Sequence, residues 1–528
     1  MTEIRRYPVD KQSFRKVIDG HFVYVDKTDL VYKMTHDYEY VFLSRPRRFG
    51  KSLMCSTLKE YFSGNKELFR GLKIDALEKE WTRYPVIDIS FANAKSVTED
   101  SINELIESIL DENEKKFGVA REGNDLGVRF SSLVTNVAQK TGQNVVIIID
   151  EYDAPMLDTV HNDDLQESVR AVQNKFFAPL KTLDEYIRFV FLTGITKFSQ
   201  MSIFSTLNNL QDISLKPEFE TICGISHEEM LTTLRPDIQS FAEAEGRTFD
   251  EMVKMMKIKY DGYSFSRNRC GVFNPFEVMN ALNAKELGDY WFDSGTPTAL
   301  LKLISKFNIQ MEDYDGIECS PMRFKRPVEK ITDLVPFLYQ SGYLTIKDYR
   351  YDAFDETVLE TYTLGYPNGE VRTAFANCLF TDYYKASEDI ALRNAYVQFR
   401  RDDDIDEFIK HLQVFFDGFP FSLNNQKNNE THYHSIIYTV LTSFGANISA
   451  NVETALGKAD LILRMPKTIY VIEIKNDRSV KSAKRQIQRR RYAKAYLDSG
   501  KRIVKLALKF SSRQKNITGY EATEEKVS

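Results

Sequence analysis

Long apolar runs are missing from this 528-residue sequence. None approaches the roughly 18 residues that a membrane-spanning helix needs, so no membrane partner is expected. The first residues, MTEIRRYPVD, lack the apolar stretch of a secretory leader. Cysteine is sparse. The five, at 55, 223, 270, 319 and 378, are scattered, odd in number and nowhere arranged as C-x-x-C. That argues against a disulfide framework or a zinc knuckle and matches reduced, buried thiols in a cytoplasmic protein. No internal repeat or low-complexity tract is present. With 42% hydrophobic and 28% charged residues the chain can bury a large core. At about 150 residues per domain, several domains are expected.

The net charge of −5 conceals an asymmetry. Between Lys475 and Lys515 stand fifteen Lys/Arg and two Asp, a local +13 that leaves −18 for the rest. Such a basic end suits a polyanionic partner; a solvated helix face is the alternative.

Four β-rich runs occupy the first two hundred residues: YVFLS (40–44), VIDIS (86–90), NVVIIID (144–150) and IRFVFLTG (187–194). The last two are nearly unbroken apolar runs, as for strands buried on both faces of a parallel sheet. Helical segments alternate with them, which predicts a three-layer α/β domain over 1–215. A helical accessory region is expected over 216–340, with Asn274-Pro275 as a helix start. A helical connector is expected over 341–424, with a polar linker at 422–430. The last domain, 425–528, reads as helix (about 430–443), strands 447–453, 459–464 and 468–475, a basic helix (about 479–497) and strand 502–510. That order is α-β-β-β-α-β.

Two places carry chemistry. In the first, YVFLS leads into RPRRFGKS and then LMCSTLKEYF, the strand, loop and helix of a phosphate-binding loop. Lys51 suits β/γ-phosphate charge and Ser52 suits Mg²⁺. Arg45 stands where such loops usually have their first glycine. The apolar strand 144–150 ends in Asp150 and Glu151, one acid to hold Mg²⁺ and one to polarise the attacking water. Thr193, ending the fourth strand, contacts the γ-phosphate or caps a turn. In the second place Asp460 is followed by Glu473 and Lys475, which share one sheet face. Two carboxylates and a lysine suit metal-assisted phosphodiester hydrolysis; exposed edge-strand charges are the alternative.

The segments SRPRRFGKSL, VVIIIDEYDAP, LTGITKFS, IFSTLNNLQDISL, YDGYSF and NPFEV resemble the bacterial AAA-ATPase-like family over roughly 5–300. The resemblance implies an additional-strand P-loop ATPase core, with Walker A and Walker B elements, in which the Arg-Pro-Arg-Arg rim is a family trait. It implies ATP and Mg²⁺ as cofactors. The nucleotide would be held by Arg47, Arg48, Phe49, Gly50, Lys51, Ser52 and Leu53 with Asp150 and Thr193, and Glu151 would be catalytic. A homo-oligomer through the ATPase domain is a further expectation.

GKAD (457–460) and EIK (473–475), within that α-β-β-β-α-β order, resemble the PD-(D/E)XK nuclease superfamily over about 425–515. The resemblance implies a restriction-endonuclease-like fold in which Asp460, Glu473 and Lys475 are catalytic. Glu430, Asp460 and Glu473 would bind Mg²⁺ or Mn²⁺, and Gln486 would lie beside the site. The Pro of the superfamily's name is absent before Asp460. His432 and His434, two apart on a helix, cannot form a one-face metal pair and read as partly buried or surface residues. Arg485, Arg489, Arg490, Arg491 and Lys494 become candidates to hold nucleic-acid phosphates. The combined reading is an ATP-hydrolysing protein coupled to a metal-dependent nuclease acting on DNA. The alternatives are a nucleotide-controlled DNA-binding switch with a silent nuclease centre and an oligomeric signalling ATPase.

Overall fold

Short, mainly apolar strands separated by amphipathic helices bury their side chains best in a parallel sheet covered on both faces. A computed structural model, which describes residues 5–94, 97–197, 209–293, 300, 303, 310–325, 333–354, 357–384, 389–419 and 430–525, shows that arrangement. The polar linker expected at 422–430 lies outside the described residues up to 429. Strands β1 (Tyr40–Ser44), β2 (Val86–Ser90), β3 (Val145–Asp150), β4 (Ile187–Gly194) and the two-residue β5 (Gln211–Asp212) form one sheet. The order is β2-β3-β4-β1-β5, and every pairing is parallel. β4 is therefore the additional strand, inserted between the strand before the GKS loop and the strand ending in the acid pair. Ser44 pairs with Gly194 and Ser90 with Asp150, so the carboxyl ends of four strands form one rim.

Helix α1 (Lys51–Phe62) follows β1 directly. α2 (Glu99–Phe117) starts with a Thr98–Ser101 capping box and stops at left-handed Gly118. α3 (Leu126–Thr141) is capped by Asp125, and α4 (Asp163–Phe177) by Asn162. Beyond the sheet, α5 (Arg235–Ala244), α6 (Phe249–Tyr260) and α7 (Pro275–Ala284) share an apolar core that includes Ile238, Phe241, Met252, Met256 and Val278. Asn274 caps α7 through the N–H of Phe276, 2.9 Å away.

Residues 341–424, expected to be a helical connector, depart from that reading. They open with an antiparallel hairpin, and with β6 (Ile317–Cys319) its strands β7 (Thr345–Phe354) and β8 (Thr357–Gly365) form a sheet in the order β6-β8-β7. The cause is local. Asp348, Arg350 and Asp352 alternate with Tyr349 and Tyr351, a period of two in which the tyrosines favour a strand. The helices expected further on are present as α8 (Ile390–Asp402) and α9 (Ile405–Asp417). They belong to a compact unit of residues 300–315 and 371–528, the other unit being 1–299 with 316–370. The break expected at 425 therefore does not separate them from the last domain. Phe408, Ile409, Leu412, Phe415 and Phe416 form the buried face of α9.

The second unit holds α10 (Glu430–Ser443), β9 (Ile448–Thr454), β10 (Gly457–Arg464), β11 (Thr468–Asn476), α11 (Val480–Arg490), β12 (Arg502–Ser511) and β13 (Asn516–Glu524). Its sheet runs β9-β10-β11-β12-β13, antiparallel except for β11–β12, which α11 connects as a crossover. β13 is a strand beyond the expected order. The basic helix is shorter than expected: Arg491, at φ 52°, ends it, and a 3₁₀ segment (Tyr492–Ser499) with Tyr492 and Ala493 buried continues. No helix among the described residues is long and apolar enough to cross a membrane.

Candidate functional site

At the rim of the first sheet, Gly50 adopts φ 85° as the N-cap of α1, a conformation suited to glycine. No side chain caps that helix, so its first N–H groups remain for a ligand. Lys51 is buried, and its Nζ donates to the carbonyls of Arg45 (3.0 Å) and Pro46 (2.9 Å). Burial lowers its pKa against the charges of Asp153, Asp150 and Glu151. The Ser52 side chain hydrogen-bonds Asp150, whose pKa burial raises. Asp150 Oδ1 is buried without a hydrogen-bond partner among the described residues. A hydroxyl and a carboxylate with an open oxygen, beside a helix N-terminus, fit a nucleotide with its divalent cation. Glu151 sits in the left-handed region at φ 52°, and burial followed by the charge of Asp150 raises its pKa. Arg47 is exposed and its charge acts on Glu151. The guanidinium of Arg48 lies 4.5 Å from the ring centre of Phe276.

Three of the expected ligand residues also have partners within the protein. The Phe49 side chain is buried edge-on to Tyr263 (4.8 Å) and Phe265 (5.3 Å), the aromatics of YDGYSF. The Thr193 hydroxyl donates to the Leu43 carbonyl at 2.7 Å and so ties β4 to β1. Leu53 is half-buried inside α1, where its carbonyl accepts from Thr57. Arg45 does not form the rim at all. It is 1% exposed, donates to the carbonyls of Ser44, Ser214 (2.7 Å) and Phe219 (3.0 Å), and stacks on Phe265 at 4.2 Å. The sequence reading missed Asp153. Its Oδ2 accepts from the N–H groups of Ile195 (3.0 Å) and Thr196 (2.6 Å), joining the ends of β3 and β4. The third acid of DEYD was the available signal.

In the second unit the strand and helix bring three acids together. One carboxylate oxygen each from Glu430, Asp460 and Glu473 lies within 4.8 Å of the others. Glu473, on the fully buried stretch of β11, is 0% exposed. Lys475, two residues on, shares its face and donates to Glu473 Oε1 (2.9 Å), Glu430 Oε1 (2.6 Å) and the Ile474 carbonyl (3.0 Å). Burial, then the charge of Asp460, pushes the Glu473 carboxyl up to about 8. Burial also raises Asp460. Burial opposes the charge on Lys475, but its bonds to Glu430 and Glu473 outweigh that and raise its pKa. Asp460 Oδ2 accepts the N–H of Ile474 at 2.7 Å. Glu473 Oε2 is buried without a partner among the described residues, an orphan that a cation would satisfy. An all-oxygen donor set of three carboxylates fits Mg²⁺ or Mn²⁺.

The basic residues of α11 and its extension, Arg485, Arg489, Arg490, Arg491 and Lys494, are exposed, and Gln486 is half-buried. Some of this charge is already used: Arg490 donates to the Leu456 carbonyl and Lys484 pairs with Glu521. Of the two histidines expected to be partly buried or at the surface, His432 is half-buried and His434 goes further: it is buried, bonded to the Asp460 backbone and to Glu312. It stands one turn from Glu430, a spacing that could have flagged it; Glu312 carries no such signal.

Comparison with known proteins matches two family models to the chain. Residues 8–204 match the family described as predicted AAA-ATPase, and residues 428–519 match the PD-(D/E)XK nuclease superfamily. The chain thus carries an AAA-ATPase-like domain and a PD-(D/E)XK-superfamily domain. A protein of Azotobacter chroococcum mcd 1, described as "Uncharacterized protein in vnfD 5'region", is 28% identical over 530 residues, covering 98% of each chain.

Proposed function

We propose that the protein is a metal-dependent nuclease that cuts DNA under the control of ATP binding and hydrolysis in its N-terminal domain. The observation that carries this reading is the convergence of Glu430, Asp460 and Glu473 with a buried Lys475. Inert surface acids do not take up a buried ammonium with three hydrogen bonds. A bound Mg²⁺ or Mn²⁺ supplies charge neutralisation at the scissile phosphate and acidifies a water. Asp460 and Glu473 hold the cation, and Glu430 completes the donor set. Lys475 keeps a fixed positive charge where the phosphate becomes more negative, and so favours the transition state over the ground state. Arg485, Arg489, Arg491 and Lys494 hold the DNA backbone without reading sequence. In the N-terminal domain Lys51 exchanges its two carbonyl partners for phosphate oxygens. Ser52 and Asp150 hold Mg²⁺, and Glu151 orients the attacking water.

The test is cleavage of circular and linear DNA, and of RNA, with Mg²⁺ or Mn²⁺ and with or without ATP. The expected result is metal-dependent cutting of DNA, lost in Lys475→Ala and deregulated in Lys51→Ala. Salt-sensitive DNA binding with no cutting under any condition would establish the binding-switch alternative instead.

A further inference from the structure

Asp460 lies at a break in its sheet. The β9–β10 pairing steps from Ala450–Leu461 to Val452–Ala459, and the β10–β11 pairing ends at Leu461–Ile472. Asp460 is in neither ladder, and across from it Asn451 takes a left-handed φ of 51°. A strand residue outside its ladders has backbone groups that need other partners. The Asp460 carbonyl finds one in a side chain, with His434 Nε2 at 2.8 Å. A carbonyl only accepts, so Nε2 carries a proton. The other ring nitrogen, Nδ1, lies 3.1 Å from Glu312 Oε1. The Ser435 hydroxyl donates to that same oxygen. His434 and Glu312 are 5% and 8% exposed, so water does not compete for these bonds. Glu312 precedes His434 by 122 residues, so local chain geometry does not impose the contact. His434 is also one helical turn from Glu430 on α10, and residues four apart share a helix face.

We infer that Glu312 and His434 are positioning residues that fix the Asp460 backbone at the break and so set its carboxylate against Glu430 and Glu473. The chain of contacts is short. Glu312 and Ser435 fix the ring, the ring holds the Asp460 carbonyl, and the Asp460 carboxylate is held from the other side by the Ile474 N–H. One helix thereby supplies both a cluster carboxylate, Glu430, and the tie that spaces it from the strand-borne one. Without the imidazole the break in β10 is free to relax, and the three carboxylates lose their common focus. The inference rests on the metal-dependent reading of this cluster.

The experiment is Mn²⁺ titration of the full chain by calorimetry, with thermal unfolding recorded on the same samples. The variants are His434→Ala, His434→Gln, Glu312→Gln and Asp460→Asn. Partners behind a metal ligand typically change affinity about 10–100-fold. His434→Ala is expected to lower the melting temperature through its lost bonds, yet, folded at the titration temperature, to weaken Mn²⁺ binding at least about 10-fold. His434→Gln, whose amide N–H still reaches the Asp460 carbonyl, should recover much of that loss, and Glu312→Gln should fall between. Wild-type affinity in both His434→Ala and Glu312→Gln overturns the inference. So does a loss of affinity that only tracks loss of folded protein; should His434→Ala not fold, His434→Gln and Glu312→Gln decide by the same criteria. If the wild type binds no Mn²⁺ that Asp460→Asn abolishes, the nuclease reading fails, and the positioning role fails with it.

Discussion

Glu473 and Lys475 stand two residues apart on β11, joined by an ion pair of 2.9 Å in which the carboxylate is wholly enclosed. Removing the cation leaves a buried acid whose carboxyl already sits near 8, so it takes up a proton rather than remaining charged. Lys475→Met should therefore remain folded. Urea unfolding should show a loss of about 1–3 kcal/mol, the desolvation cost of an unmade bond. Cleavage should fall about 100-fold or more, as when a transition-state charge donor is removed. A stability loss larger than that, with cleavage retained, would place the lysine in the scaffold.

Lys51 is bonded to two loop carbonyls and must release them to reach a phosphate. ATP with Mg²⁺ at 100 times its Kd should stabilise the wild type by about 2.7 kcal/mol, and Lys51→Ala should show no such shift at that concentration. Differential scanning fluorimetry over an ATP series reads this directly.

A Cβ on Gly194 would run into Asp153 Oδ1 and meet Tyr152 Cδ1 at 2.9 Å. Asp153 is fixed by the Ile195 and Thr196 N–H groups and has nowhere to withdraw. Gly194→Ala should cost about 1–3 kcal/mol in urea, the usual range for overpacking. Because Asp153 is two residues from Glu151, the same change should slow ATP hydrolysis more than it weakens ATP binding. Equal effects on both would refute that route.

Glu277 of the NPFEV segment is fully buried, and neither carboxylate oxygen has a hydrogen-bond partner among the described residues. Burial, then the charge of Glu370, raises its pKa well above 4.5. For a carboxyl with a raised folded-state pKa, stability is present below the unfolded value and is lost as pH rises through the folded one. Urea midpoints of the wild type should therefore decline as pH rises above about 5, where the unfolded carboxyl ionises, and Glu277→Gln should flatten the decline. Parallel curves for the two proteins would show that the Glu277 carboxyl titrates alike in the folded and unfolded states.

Arg485 and Arg489 are exposed and four residues apart on α11. If each neutralises a DNA phosphate, each alanine variant should weaken binding to all sequences alike and lower the salt slope by about 1. Fluorescence anisotropy across a salt series tests this; an unchanged slope in both variants removes α11 from the DNA path.

The parallel sheet was legible because two of its strands are nearly unbroken apolar runs, and the second site because a period of two places Glu473 and Lys475 on one face. The hairpin at 345–365 was not, because the whole of 341–424 was assigned as one helical connector and its period of two went unread. β13 was missed because NITGYEATE follows a polar turn and exposes one face. Within the sites, Lys51, Ser52, Asp150 and Asp460 announce themselves through neighbours in sequence. Asp153 and His434 bond to backbone groups, and Glu312 to the His434 ring and the Ser435 hydroxyl, all brought near only by folding. Thr193 illustrates the limit from the other side, since a threonine at a strand end reads the same whether it meets a phosphate or, as here, the Leu43 carbonyl.

The buried Arg45 changes what position 45 means for anyone rebuilding this loop. In a glycine-first loop the residue is a space kept clear, and the loop takes its shape from backbone freedom. Here the residue is a strut that spans to Ser214 and Phe219 and fixes the carbonyl that Lys51 caps. Arg45→Gly would not restore an ordinary loop; it would hollow out the wall beneath one. Positions 45 and 214–219 therefore behave under substitution as a single part, to be transplanted together or left alone.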